Sequence, residues 1–403
     1  MSHFTCKFFK ENRNKLAKEL GERGIVFVSG NGLIQRSGDT HFPFRQDSSF
    51  YYLTGVDEPS AFLVIDLATK NSFISFPIRD GVRAIFDGKQ NMEALKLQSG
   101  VDEILDSETG WSRLSKLTSK KVFTIIPSIN SDNDILLNPF SKICLDKLKN
   151  GSFECEDISR KLALLRMVKS PEELSVMLQA TTITYRTLNE IENSLDSFST
   201  EKSIEAEITK LFSVYGAAGH AYQPIIASGN NSCILHYIEN SQLIKNNSVL
   251  LIDVGAEVSN YAADISRTFM IGRISKLEED IISAVKAVQG EIIKEIKPGV
   301  TFKEVALSTH HKIAKQLVSL GMVKKKYSNE DIFNFFPHGV SHFLGLDVHD
   351  VGDYETPLQE NMTITVEPGI YWKQRGIGVR IEDDVVVTKE GAQIIGDNSF
   401  SLL

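Results

Sequence analysis

The segment Ser248-Val-Leu-Leu-Ile-Asp253-Val-Gly255 constrains the fold most: it is an apolar run of strand length with one carboxylate near its end. A second strand-like segment, Tyr261-Ala-Ala-Asp264-Ile-Ser-Arg267-Thr-Phe269, follows a turn at Glu257 to Asn260. With that turn centred between Val258 and Ser259, Asp253 and Asp264 face each other across an antiparallel ladder, their Cβ atoms roughly 4.5 to 5.5 Å apart. Like charges so placed repel, and burial adds to the cost, unless a cation lies between them or one carboxylate takes a proton. A metal ion is the better explanation. Taken singly, Asp253 reads equally as a strand-end residue turning into Gly255, and Asp264 as a surface partner of Arg267.

The pattern repeats near the C-terminus, in Ile364-Thr-Val366-Glu367-Pro-Gly-Ile-Tyr371 and Gly378-Val-Arg380-Ile-Glu382-Asp383-Asp384. A turn centred between Gln374 and Arg375 sets Glu367 opposite Glu382, with Pro368 and Gly369 breaking the ladder there. Three of the nine histidines fall in His338-Gly-Val-Ser-His342-Phe-Leu-Gly-Leu-Asp347-Val-His349-Asp350, and neutral imidazole is a common metal ligand. The His338/His342 spacing lacks the Glu that follows the first histidine of a zinc-protease helix. His236, in Cys233-Ile-Leu-His236-Tyr237, is isolated in sequence and by itself reads more readily as a packed core histidine. Four carboxylates balance two divalent cations, and one His among oxygen ligands suits Mn²⁺ or a similar ion better than a thiolate-bound zinc. Two such ions bridged by carboxylates generate hydroxide near neutral pH and polarise a carbonyl, which is machinery for hydrolysis.

The rest of the chain is built to carry such a site. Its 403 residues predict two or three domains, and 42% hydrophobic with 24% charged residues excludes disordered and disulfide-scaffold classes. A net charge of −8 argues against a nucleic-acid partner. Cys6, Cys144, Cys155 and Cys233 form no CxxC pair and read as reduced thiols of a cytoplasmic protein. No apolar stretch reaches the length of a membrane span. The basic N-terminus, from Lys7 to Lys18, has no apolar core of a targeting peptide, and Phe8, Phe9, Asn12, Leu16 and Leu20 fit one helix face.

Alternation of this helix with apolar runs at Ile25 to Val28, Ala61 to Ile65 and Val122 to Ile126 predicts an α/β first domain. The aromatic stretch from Phe42 to Gly55 fits no simple period. Ser170-Pro171-Glu172-Glu173 announces a long helix with a capping Ser, Pro at the first position and Glu three residues after the cap. The domain boundary is expected between Cys155 and Lys169, giving domains at 1–160 and 161–403. Helices near Ser203 to Tyr215, Lys276 to Ile296 and Thr301 to Leu320 flank strand-like segments, so the second domain is expected to be α+β with a largely antiparallel sheet.

These motifs resemble those of the aminopeptidase P group of the metallopeptidase family that also holds prolidase, creatinase and methionine aminopeptidase. The resemblance covers nearly the whole chain, including Tyr51-Tyr-Leu-Thr-Gly-Val-Asp-Glu-Pro59 in the first domain. It implies an α/β N-terminal domain of the creatinase type followed by a pita-bread catalytic domain with two divalent metal ions, manganese the best match. The ligands it implies are Asp253, Asp264, His342, Glu367 and Glu382, with Asp264 and Glu382 bridging. It further implies hydrolysis of the bond before a penultimate proline by a metal-bridging hydroxide, with Glu367 shuttling the proton to the leaving nitrogen. His236 and His349 would position the peptide and stabilise the oxyanion. His338 would line the proline side, with Tyr371 and Arg380 lining the pocket or supporting the ligands.

The implied partners are peptides with proline at the second position and further copies of the chain in a homodimer or homotetramer. Two departures stand out: the connection from Tyr371 to Arg380 is shorter than in many bacterial members, and Phe86 stands where some carry a Trp from a neighbouring subunit. Prolidase, which accepts only dipeptides, is the nearest alternative, but Phe42 to Gln46 and Gly339 to Gly345 look more like aminopeptidase P. Methionine aminopeptidases usually lack the large first domain. Non-catalytic binding proteins on this fold typically lose metal ligands, and here all five positions are filled.

Overall fold

Helical spacing of apolar residues forms the first helix, Cys6–Leu20, and buries Phe8, Phe9, Asn12, Arg13 and Leu16 along one face. The computed structural model describes residues 3–126 and 137–396. The chain divides into two units, Met1–Arg166 and Met167–Leu403.

The first unit holds a six-stranded sheet in the order Glu103–Asp106, Ser72–Phe76, Phe62–Asp66, Ile25–Ser29, Lys121–Thr124, Glu154–Asp157. Only Phe62–Asp66 runs against the others, which is the mixed α/β arrangement expected. The aromatic stretch becomes a short helix, Ser48–Thr54, whose seven residues are all buried. A helix buried all round shows no amphipathic period, so no pattern marked it. Asp47 caps it, accepting from the Phe50 amide. At Gly55, with φ 64°, a Cβ would lie 2.2 Å from the Phe9 ring, so only glycine fits.

In the second unit every paired strand is antiparallel. The helix Pro171–Asn193 opens on the expected capping box: Ser170 Oγ accepts from Glu173 N, and Glu173 Oε2 from Ser170 N. Helices Lys276–Glu295 and Phe302–Ser319 open on the same device, and they pack Val285, Val288, Ile292, Ile313 and Leu317 into a core shared with Ile364, Val366, Val379 and Val385 of the C-terminal strands. A second core sets Ile204, Ile208 and Phe212 against Leu250, Ile252 and Val254.

The two hairpins differ in how closely they follow the expected register. In the first, the turn residues are Ser259 and Asn260, both with positive φ, between the pair Val258 and Tyr261. This is a two-residue turn of the type that matches strand twist. Its centre therefore lies one residue later than expected, and Asp253 faces Ser266, not Asp264. Because the shift moves each partner by two positions, both aspartates stay on one face as diagonal neighbours. In the second hairpin, Val366 pairs with Asp383 on one side and Gly369 with Arg380 on the other. Glu367 and Glu382 thus sit opposite each other at the break between the two ladders, as the spacing predicts.

Candidate metal centre

The ends of both hairpins bring their carboxylates together. Gly255 makes the first approach possible: a Cβ there would lie 1.7 Å from the Ala263 carbonyl oxygen, so only glycine lets the strands close where Asp264 enters. Asp253 and Asp264 are buried, at 7% and 5% exposure. Tyr222 Oη stands 2.5 Å from Asp253 Oδ1 and 2.7 Å from Asp264 Oδ1. A phenol has one proton, so it donates to one carboxylate at a time. Glu382 Oε2 accepts from Ser266 Oγ at 2.7 Å, and the Glu382 carbonyl accepts from Arg267.

His342 completes the cluster. Its Nδ1 lies 3.0 Å from the Phe343 carbonyl, which fixes a proton there, and its Nε2 faces Asp264 Oδ2 at 3.4 Å and Glu367 Oε1 at 3.5 Å. A backbone carbonyl on the far nitrogen is the usual support of a metal-binding histidine. Ligand atoms of Asp264, His342 and Glu382 all lie within 4.8 Å of one another. Among the described residues this is the one such group of three or more His, Cys, Asp or Glu side chains.

The electrostatics show what the donor set lacks. Burial and the neighbouring Asp264, Glu367 and Asp253 push the Glu382 carboxyl well above its usual range. Burial likewise raises Asp253, against the pull of Arg380. Burial lifts Glu367 to about 7, with His342 and Arg380 opposing and Asp264 and Asp253 adding to the rise. Burial alone would lower His342, but hydrogen bonding and charge from Asp264, with Glu367 behind it, push it up to about 9. Each shift is a carboxylate cluster seeking positive charge, so these residues fit divalent cations.

Arg380, 4% exposed, donates to Asp253 Oδ2 at 2.5 Å, to Tyr371 Oη at 3.0 Å and to Ser266 Oγ at 2.8 Å. Tyr371, 1% exposed, lies 2.9 Å from His338 Nε2, while His338 Nδ1 lies 2.7 Å from the Gly339 carbonyl. That relay makes His338 neutral, with Nε2 accepting from Tyr371; burial and Arg380 hold its pKa down to about 4. His349 is exposed and sets its ring 4.4 Å from that of His342. His236 is exposed and lies near enough to His338 and His349 to disfavour a positive charge on either. Phe86 lies in the first unit, 82% exposed.

Several participants carried no signal in the sequence. Tyr222 is a tyrosine between two short strands, and Ser266 an ordinary strand residue. Asp383 and Asp384 looked like an extension of Glu382. Asp383 accepts from Arg267, Tyr185 and Gln289, and Asp384 from the Asp264 amide and Thr181. Asp384 thereby holds the Asp264 backbone in place.

The chain is similar to known proteins over nearly its whole length. A model of metallopeptidase family M24 matches residues 175–389, and one of the aminopeptidase P N-terminal domain matches residues 9–125. The Xaa-Pro aminopeptidase of Escherichia coli is 32% identical over 422 aligned positions, spanning 97% of this chain and 94% of its own. The structure of aminopeptidase P from E. coli with the inhibitor Pro-Leu superposes with a TM-score of 0.86 at 30% identity, covering 99% of this chain and 97% of that one. Proline aminopeptidase P II from Yersinia pestis gives 0.86 at 29%, with the same coverage. The α/β unit followed by an α+β unit is thus the creatinase-type domain and pita-bread fold that the motifs implied. The chain belongs to metallopeptidase family M24 and carries the aminopeptidase P N-terminal domain ahead of its metallopeptidase domain.

Proposed function

We propose that this protein is a manganese-dependent aminopeptidase that removes the residue preceding a penultimate proline, acting in the cytoplasm as a homodimer or homotetramer. The observation that carries the reading is the convergence of Asp253, Asp264, His342, Glu367 and Glu382 from two hairpins and one loop. Asp253, Asp264, His342, Glu367 and Glu382 would hold two divalent ions. Such ions supply a hydroxide nucleophile near neutral pH and polarise the scissile carbonyl.

The chain's own residues do the rest. Glu367 is placed to take the proton of the attacking water on a carboxylate oxygen and return it to the prolyl nitrogen. His349 and His236, both exposed, offer ring N–H groups to the peptide and to the developing oxyanion. His338 spends both ring nitrogens on Gly339 and Tyr371, so it serves as an apolar wall for the proline ring. Tyr371 and Arg380 hold His338 and Asp253 in place.

The E. coli relative binds Pro-Leu, the product-side half of an Xaa-Pro-Leu substrate, which supports the proline preference. Four cysteines without disulfides support a reducing compartment, and among the described residues no helix is long and apolar enough to cross a membrane. The test is an equimolar mixture of an Xaa-Pro dipeptide and an Xaa-Pro-Xaa tripeptide, given to the manganese-loaded protein and followed by mass spectrometry. Tripeptide cleavage before proline is expected. Cleavage of the dipeptide alone would make the protein a prolidase.

A further inference from the structure

Glu201, at the first position of the helix Glu201–Val214, is fully buried yet far in sequence from the metal ligands. Its two oxygens accept four hydrogen bonds. Oε1 takes the Ser228 amide and Asn231 Nδ2, both at 2.9 Å, and Oε2 takes Tyr237 Oη at 2.7 Å and the Gln242 amide at 2.9 Å. All four donors are neutral, and three of them belong to the stretch from Gly229 to residue 247 that leads into the strand Ser248–Val254. Apart from one 3₁₀ turn, Gly229–Cys233, this stretch has no helix or strand. An irregular segment of that length is held by scattered side-chain and backbone bonds, and Glu201 ties it at three points: the Asn231 and Tyr237 side chains and the Gln242 amide.

The segment carries His236. Around it exposure alternates: Ile234 is 54% exposed, His236 exposed, Tyr237 buried and Ile238 46% exposed. Tyr237 is therefore the inward anchor of an outward-facing stretch. Its ring packs with Ile225, Ala227, Leu251 and Tyr371, and its hydroxyl ends on Glu201. Beyond Glu201, Asn240 ties the same segment to the core, donating to Glu205 and Pro224 and accepting from the Ile226 amide.

We infer that Glu201 is a positioning residue for the peptidase reaction: through Tyr237 it sets the place of His236 at the mouth of the metal centre. The inference rests on the proposed contact of His236 with the peptide. Loss of either group would leave the ligands in place and let the His236 stretch drift, which acts on turnover and not on metal content.

The test is a double-mutant cycle on the manganese-loaded full chain, with kcat and KM measured on an Xaa-Pro-Xaa tripeptide and bound manganese counted. Tyr237→Phe keeps the ring and removes the hydroxyl's two hydrogen bonds, to Glu201 and from the Ser241 amide, and it carries the test if Glu201→Gln does not fold. Each variant is expected to lower kcat/KM by about tenfold with manganese unchanged, the scale of one coupling between touching groups. In a His236→Ala background the same substitutions should each cost less than about twofold. Equal losses in both backgrounds, with His236→Ala itself impaired, would overturn the positioning role alone. A fully active His236→Ala would remove the reading of His236 and this inference with it, and wild-type kinetics in both variants would also overturn it.

Discussion

Asp253 and Asp264 share the single proton of Tyr222, and with Glu367 and Glu382 they set four carboxylates against two cationic side chains, Arg380 and His342; that imbalance is the residue-scale fact on which the site turns. Removing one shared ligand should therefore collapse the centre: Asp264→Ala or Glu382→Ala is expected to lose bound metal and turnover together, as read by elemental analysis and peptide cleavage on one sample. His338 makes a pH prediction. Its imidazole is held at about 4 against 6.5 when unconstrained, so the unfolded chain binds the extra proton between those values. The resulting stability is complete above about 6.5 and is lost as pH falls through 4, by about 3 kcal/mol at most. His338→Gln should flatten that part of the curve in urea melts from pH 7 to pH 4. The clustered carboxylates were legible in the sequence because carboxylates inside apolar strands are conspicuous. Tyr222 and Glu201 were not, since a tyrosine in a connection and a glutamate in a first helical turn look the same whether or not they serve a site.

The hairpins show at the scale of elements why spacing predicts one register and misses another. Both ladders flanking Glu367 and Glu382 keep one register, so counting from the turn succeeds despite the break at Pro368. In the other hairpin the count depends on which residues turn, and Asn260 in the left-handed region moves the turn by one. Ser259 also sits there, at φ 48°, where a residue with a Cβ is strained. Ser259→Gly should raise stability by about 0.5 to 1 kcal/mol, seen as a higher denaturation midpoint. Gly255→Ala should do the opposite, costing at least about 3 kcal/mol, because the added methyl meets the Ala263 backbone. The short helix Ser48–Thr54 escaped notice for a different reason: with every face buried, it has no periodic signature to read.

Across the whole molecule the alternation of helices and strands in Met1–Arg166 and the paired hairpins of Met167–Leu403 were readable as α/β followed by α+β. The order of the six strands was not, because nothing local says that Ile25–Ser29 lies between Phe62–Asp66 and Lys121–Thr124. The proposed ligands all belong to the second unit, so manganese should slow amide exchange in peptides spanning 248–271 and 363–387 and leave those spanning 25–29 and 62–76 unchanged. The central claim, a two-ion centre that breaks the bond before proline, is tested most directly by titrating metal-stripped protein with manganese while counting bound ions and tripeptide turnover in the same tube. The account predicts that turnover rises with occupancy to two ions per chain and is absent in Asp264→Ala. Full turnover by protein free of divalent ions, or by a metal-depleted Asp264→Ala, would contradict it.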